Sequence, residues 1–207
     1  MTLELAPGTG AAAAVLQAAI KAGPIASLLI RPRPGTALDA SLTKTLLEVA
    51  QKSNIAAMVA DDANLARMLK ADGVHLSWSK DILARYTEAR EILGERFSIG
   101  AEAGRSRDDA MSLGELGADY IAFGIPPHVE DRATAEDRQR DLISWWSDIF
   151  QIPCVAFDVT TPEHASGLAH DGADFIAVAI SADMPSDEIN KRIADFSLAI
   201  SASGVLA

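Results

Sequence analysis

The sequence is poor in cysteine and in positive charge. Cys154 is the only cysteine, which excludes an intrachain disulfide and the multi-cysteine pattern of a zinc site. Lysine and arginine number 18 against 29 acidic residues, so that the formal net charge is −11. Nucleic acid and anionic lipid are bound through clusters of cations, and we therefore expect neither as a partner.

Long apolar runs and a basic N-terminal segment are also missing. The alanine-rich run at residues 11–20 is too short to span a bilayer, and residues 1–10 contain no lysine or arginine. We therefore expect no targeting segment, no membrane insertion and a cytoplasmic location. Hydrophobic residues make up 49% and charged residues 23% of 207 residues, which is typical of one globular domain spanning residues 1–207.

Short apolar runs alternate with longer amphipathic stretches along the whole chain. The predicted strands are residues 2–5, 25–30, 55–60, 73–76, 97–101, 120–123, 154–157 and 175–179. The predicted helices include residues 11–22, 40–52, 63–70, 82–93, 107–116, 162–170 and 187–199. This alternation predicts a parallel sheet covered by helices.

A recurring phrase favours a closed barrel over an open sheet. Asp72, Asp119 and Asp174 each follow a glycine or alanine and precede a predicted strand, at a spacing close to two strand-helix units. An open, doubly wound sheet has the same alternation and stays as the alternative, but no G-x-G-x-x-G phrase follows a predicted strand. We therefore predict an α/β fold of the (βα)8 TIM-barrel type.

Three segments resemble the thiamine phosphate synthase (thiamine-phosphate pyrophosphorylase) family and occur in that family's order. They are residues 71–76 (ADGVHL), 116–124 (LGADYIAFG) and 152–156 (IPCVA), and the resemblance extends roughly over residues 11–181. It implies a TIM-barrel transferase of thiamine biosynthesis, which joins hydroxymethylpyrimidine diphosphate to thiazole phosphate and releases diphosphate. It also implies small phosphorylated thiamine precursors as binding partners and Mg²⁺ as cofactor.

The resemblance assigns catalytic residues to the ends of strands 2 to 4. Arg31 and Arg33 match the cations that contact the diphosphate, and Asp61 matches a magnesium ligand. Asp81 is the candidate for a second magnesium ligand. The residues themselves leave alternatives open: both arginines could be solvated in a proline-rich loop, and Asp61 or Asp62 could cap the next helix.

The remaining family positions place substrate-binding candidates after strands 5 to 8. They are Glu102 in place of a serine, Arg132, Asp158 in place of the first residue of a glycine pair, and Ser181. Glu102 and Asp158 add negative charge where phosphorylated substrates would bind. Val159 replaces the second glycine, whose backbone freedom lets main-chain amides approach a phosphate.

These departures leave other functions open. One alternative is a non-catalytic ligand-binding or regulatory barrel of the same family. A second is a thiazole-tautomerase-like enzyme that uses His128 for proton transfer. A third is a different enzyme built on Asp61, Glu102 and Asp158 at the barrel mouth. Assembly into a homo-oligomer is also left open.

Overall fold

Eight parallel strands and the helices that follow them form a closed barrel. A computed structural model describes residues 1–7, 11–126 and 129–203. The strands are β1 Thr2–Ala6, β2 Ser27–Ile30, β3 Ala56–Ala60, β4 Gly73–Leu76, β5 Ser98–Glu102, β6 Tyr120–Phe123, β7 Cys154–Ala156 and β8 Phe175–Ser181. The helices are α1 Ala12–Ala22, α2 Ala40–Lys52, α3 Ala63–Leu69, α4 Ile82–Leu93, α5 Arg107–Glu115, α6 Arg132–Ile149, α7 Pro162–His170 and α8 Ser186–Ala202.

Pairing between the first and last strands closes the sheet. Leu3 of β1 lies opposite Val178 of β8, and each remaining strand pairs in parallel with the next along the chain. This closure confirms the predicted TIM barrel and excludes the open-sheet alternative, because an open sheet leaves two strands unpaired at its edges.

The main core lies between the strands and the surrounding helices. Leu3, Leu28, Ile121 and Trp146 are fully buried in it. The barrel interior is a separate and smaller cluster that contains Met58, several alanines and Phe157. A cavity of about 260 Å³ opens at the N-terminal ends of the strands, and both small side chains such as Ala56 and large ones such as Tyr120 line it.

The three recurring aspartates tie neighbouring strands together. Each lies just before an even-numbered strand, and its carboxylate accepts a hydrogen bond from a main-chain N–H of the preceding strand. The pairs are Asp72 with Ala57, Asp119 with Ile99 and Asp174 with Cys154, at 2.8, 2.7 and 2.8 Å. The repeat is therefore structural, and it lies at the end of the barrel opposite to the strand C-termini.

The strand C-termini point the following loops toward one mouth, which is where TIM barrels carry their active sites. The loops of interest run from β2 to α2, β3 to α3, β4 to α4 and β7 to α7. Within the three described ranges, no helix is long and apolar enough to cross a membrane.

Candidate active site

Arg31 lies at the barrel mouth, directly after β2. Its Nη1 donates to Glu4 Oε2 at 2.8 Å, and its Nη2 donates to Ser77 Oγ at 3.2 Å. The same Nη2 lies 3.6 Å from Glu102 Oε1, and the guanidinium lies 5.8 Å from the centre of the Phe157 ring. Arg31 is therefore a fixed cation between β1, β4 and β5, and it is not the freely solvated arginine of the alternative interpretation.

Glu102, at the end of β5, is held by donors from β4. His75 Nε2 lies 3.2 Å from Glu102 Oε1, and the Trp78 N–H donates to Glu102 Oε2 at 3.2 Å. Burial opposes ionisation of Glu102, but His75, Arg31 and the Trp78 amide outweigh it and hold the pKa of Glu102 below its usual range. The mouth thus contains a buried carboxylate that stays charged.

His75 extends this contact toward the barrel interior. Its ring is fully buried, stacks 4.8 Å from Phe157, and places Nδ1 2.8 Å from the Tyr120 hydroxyl. Burial raises the pKa of Tyr120 far above its usual range, so that the phenol stays protonated. Because ionised Glu102 can only accept, the Nε2 atom of His75 carries the hydrogen, and in a neutral ring Nδ1 accepts from Tyr120.

Two further carboxyl groups of the mouth are raised in pKa. Burial raises the pKa of Glu4, and the charge of Asp158 adds to this effect while Arg31 opposes it. Burial likewise raises the pKa of Asp158, with a further contribution from the charge of Glu102. Glu4, Glu102 and Asp158 therefore all interact with the positive charge of Arg31. Because they also repel one another, each additional ionised carboxylate is less favourable than the one before.

Asp158 reaches across to the loop after β6. Its Oδ2 accepts from the Ile125 N–H at 2.8 Å and lies 2.6 Å from where a Cβ on Gly124 would be. Asp158 has a φ of 58°, in the left-handed region that favours glycine. Val159, by contrast, is buried in the core and is not among the residues with positive φ. The strained position is therefore Asp158. Its carboxylate already accepts the hydrogen bond of the Ile125 main-chain N–H, which a phosphate would otherwise be able to accept.

Asp61 and Asp62 have separate roles after β3. Asp62 caps α3, since its Oδ1 accepts from the Leu65 N–H at 2.8 Å. Asp61 does not cap. Its Oδ1 accepts from the Ser77 N–H at 2.8 Å and from Arg85 Nη2 at 2.7 Å, and its Oδ2 accepts from Ser77 Oγ at 2.8 Å. The structure therefore assigns the capping role to Asp62 and leaves Asp61 facing the loop after β4.

The other predicted site residues lie around the rim. Arg33 Nη2 is 3.7 Å from Asp183 Oδ2, and Ser181 Oγ accepts from the Asp183 N–H at 3.3 Å. Arg132 begins α6, and its charge partly opposes the burial that raises the pKa of Asp158. Asp81 is exposed at the N-cap position of α4 and makes no capping hydrogen bond. The roles assigned to these residues stay predictions.

The carboxylates near Asp61 do not fit a magnesium ion as they are arranged. Mg²⁺ takes oxygen ligands in near-octahedral geometry. Both oxygens of Asp61 already accept hydrogen bonds, and one of them faces the positive guanidinium of Arg85. Among the residues that the structure describes, no group of three His, Cys, Asp or Glu side chains could hold a metal. The magnesium cofactor stays a prediction.

Several residues of this network were not identified from the sequence. Glu4 offers one signal, because a charged residue inside an apolar strand is unusual. His75 and Tyr120 look like ordinary strand residues, and Arg85 looks like the polar face of an ordinary helix. His128, the basis of the tautomerase alternative, lies outside the described residues.

Comparison with protein families gives a match over most of the chain. The family model described as thiamine monophosphate synthase matches residues 4–182. A thiamine-phosphate synthase of Hyphomonas neptunium is 36% identical over 169 residues, which cover 79% of this chain and 75% of that protein. One of Erythrobacter litoralis is 42% identical over 142 residues, which cover 68% of this chain and 65% of that protein.

Solved structures show the same fold. The thiamine phosphate pyrophosphorylase of Pyrococcus furiosus superposes with a TM-score of 0.75 and 20% identity, over 100% of this chain and 96% of that one. A protein titled wild-type GGGPS, from Thermoplasma volcanium, superposes with a TM-score of 0.71 and 14% identity, over 98% of this chain and 92% of that one. At such identities the likeness supports the barrel and no particular reaction.

Proposed function

The chain belongs to the thiamine monophosphate synthase family, and from this premise we propose that it is a thiamine-phosphate-synthase-type transferase. The reaction joins hydroxymethylpyrimidine diphosphate to thiazole phosphate and releases diphosphate. The observation that carries the proposal is the position of Arg31, a fixed cation at the strand ends between Glu4 and Ser77.

The chemistry needs opposite charges at two places. The bond between the pyrimidine methylene carbon and a diphosphate oxygen breaks, and its electron pair leaves with the diphosphate. The lone pair of the thiazole nitrogen then forms the new carbon–nitrogen bond. Negative charge grows on the leaving group and positive charge on the methylene carbon, so that fixed charges near each of them lower the barrier.

The described mouth contains both signs of charge. Arg31 can contact the leaving diphosphate, with Arg33 as a second cation on the same loop. Glu102, which stays ionised, can stabilise the positive charge that develops on the pyrimidine methylene. The acidic residues of the mouth therefore stabilise the positive charge of the transition state, although they oppose the binding of the negatively charged substrate phosphates.

The thiazole phosphate has fewer evident partners. Ser181 of β8 is the donor proposed for it, while Arg132 in the first turn of α6 is proposed as a third cation for the diphosphate. Asp158 opposes phosphate binding here, because its carboxylate is negatively charged and already accepts the hydrogen bond of the Ile125 N–H. This contact favours a second candidate function, a ligand-binding or regulatory barrel of the same family that binds thiamine precursors without turnover. Magnesium, a cytoplasmic location and a homo-oligomer remain predictions from the sequence.

A diphosphate-release assay with both precursors tests the proposal. We expect release of diphosphate and formation of thiamine phosphate by the purified protein, and a loss of at least about tenfold in kcat/KM in Arg31→Ala, since a charged contact to a phosphate contributes on the order of 1.5–3 kcal/mol. Arg67→Ala, which removes an exposed arginine of α3, is the control and should keep the rate. Calorimetric binding of thiamine phosphate without turnover would instead favour the binding barrel.

A further inference from the structure

Asp61 is saturated with donors from two elements. The three hydrogen bonds come from the main chain and hydroxyl of Ser77 and from the guanidinium of Arg85. Both oxygens of the carboxylate accept hydrogen bonds, and the Arg85 guanidinium brings a positive charge to within 2.7 Å of Oδ1. The charge of the carboxylate is thus balanced by the protein itself.

Arg85 is fixed on its other side as well. Its Nη1 donates to the Ser77 carbonyl at 2.9 Å and to Ser79 Oγ at 3.0 Å. A guanidinium has five N–H donors in one plane and stays charged at any pH the protein experiences. Three of the five are engaged here, and they tie the end of β3 to the loop after β4. Arg85 thus connects Asp61 to the segment where a second metal ligand would have to lie.

The two carboxylates closest to the predicted metal positions in sequence, Asp62 and Asp81, have other roles or surroundings. Asp62 caps α3 through the Leu65 N–H, and Asp81 is exposed at the start of α4. Lys80, an exposed cation, directly precedes Asp81. A divalent ion at Asp61 would therefore lie beside a fixed guanidinium. Asp62 and Glu88 line the same cavity, but the described residues there form no group of three that could hold a metal.

We propose that the Arg85 guanidinium is the resident cation of Asp61, occupying the position where the family resemblance expects a divalent metal. Arg85 is a positioning residue in this arrangement: it neutralises Asp61 and holds the loop after β4 at the mouth. The inference concerns metal binding by the free protein and does not require the proposed transfer reaction to occur.

Titration of the substrate-free protein with Mn²⁺, followed by the EPR signal of the free ion, tests this inference. We expect Arg85→Ala to bind one Mn²⁺ at least tenfold more tightly than the unaltered protein, because the substitution removes the competing charge and frees Asp61 Oδ1. The gain should disappear in Arg85→Ala/Asp61→Asn, which has lost the ligand.

Arg90→Ala is the matched control. Arg90 lies on the same helix and is paired with Asp119 at 2.9 Å, at the opposite end of the barrel. The Arg90→Ala substitution should leave the Mn²⁺ affinity of the protein unchanged. Arg85→Gln, which keeps hydrogen-bond donors but carries no charge, is measured in the same way if Arg85→Ala does not fold by circular dichroism.

Equal Mn²⁺ affinity in the unaltered protein and in the Arg85 variants would overturn the inference, whether that affinity is high or undetectable. A gain that persists after Asp61→Asn would also overturn it, because the metal would then lie elsewhere. Since no thiamine precursor is present, failure of the proposed transferase activity would leave this result unaffected.

Discussion

The carboxylate of Glu4 in β1 and the guanidinium of Arg31, directly after the neighbouring strand β2, are joined by a 2.8 Å hydrogen bond. The Glu4 side chain is only 11% exposed and that of Arg31 28% exposed. The charge that should attract a diphosphate is therefore partly compensated before any ligand arrives. This pair makes the anion affinity of the mouth adjustable by substitution at Glu4.

Glu4→Gln should strengthen the binding of inorganic diphosphate. Glutamine can still accept from Arg31 but removes one negative charge, an effect of about 1 kcal/mol in a partly hydrated site, or roughly fivefold in affinity. Isothermal calorimetry measures this change, with Glu48→Gln on the exposed face of α2 as control. Weaker binding in Glu4→Gln would show instead that the ionised carboxylate is needed to position Arg31.

Asp158→Gly should create room for a phosphate at the loop after β6. The substitution frees the Ile125 N–H, removes a carboxylate, and relieves the left-handed backbone, since glycine adopts a φ of 58° without strain. We expect inorganic phosphate to bind about tenfold more tightly in a calorimetric titration.

Asp158→Asn separates the two causes of that gain. It removes the charge but keeps a side chain that can accept from Ile125, so that its phosphate affinity should lie between those of the unaltered protein and Asp158→Gly. The interpretation of Asp158 as an internal competitor for phosphate fails if neither variant binds phosphate more tightly.

Sulfate binding should strengthen as the pH falls from neutral toward the usual carboxyl pKa of about 4. The pKa values of Glu4 and Asp158 are raised, so that these groups bind protons at a higher pH than exposed carboxyls do. Each bound proton removes a negative charge from the mouth, while sulfate stays a dianion over this pH range. The repulsion between the mouth and sulfate therefore decreases, and sulfate binds more tightly at lower pH. Glu102, with its lowered pKa, stays ionised over most of this range.

The pH effect is measured as the sulfate dissociation constant at several pH values. The double variant Glu4→Gln/Asp158→Asn contains neither titrating group and should show a flatter profile than the unaltered protein. Identical pH profiles in the two proteins would mean that other groups control anion binding at the mouth.

Gln139→Leu should destabilise the barrel beneath the mouth. Gln139 is buried in α6, and its Nε2 donates to the carbonyls of Phe123 and Phe157 at 2.8 and 2.7 Å, where β6 and β7 end. Leucine leaves both buried carbonyls without this donor, and we expect a loss of about 2 kcal/mol in the free energy of unfolding.

Urea unfolding followed by tryptophan fluorescence measures the stability loss. Gln51→Leu is the matched control, because Gln51 is exposed and its Nε2 donates to the Lys70 carbonyl and to Asp72 Oδ2, two exposed acceptors that water can also reach. Its loss should stay within about 0.5 kcal/mol. Equal losses in the two variants would contradict a special role for the Gln139 hydrogen bonds.

The barrel could be predicted from local patterns in the sequence. Apolar runs marked the strands to within one or two residues at most ends, as at β4, which the pattern and the structure both place at Gly73–Leu76. The recurring aspartates indicated a two-unit period, and the structure shows why: each one satisfies a main-chain donor of the preceding strand. Apolar runs and the recurring aspartates can be recognised in a single sequence because each depends on residues within one strand-helix unit.

The strand-end positions of Arg31, Asp61, Glu102 and Asp158 likewise followed from the order of the elements, because a parallel barrel brings every strand C-terminus to one face. Only the tertiary structure decided what each of them contacts. Arg85 meets Asp61 from 24 residues away and Asp158 meets Ile125 from 33 residues away, through side-chain directions that no local pattern encodes. The charged residues at the mouth could thus be predicted from the sequence. Their pairing depended on the packing of adjacent strands, since β3 pairs with β4 and β6 with β7, which brings residues far apart in the chain within hydrogen-bonding distance.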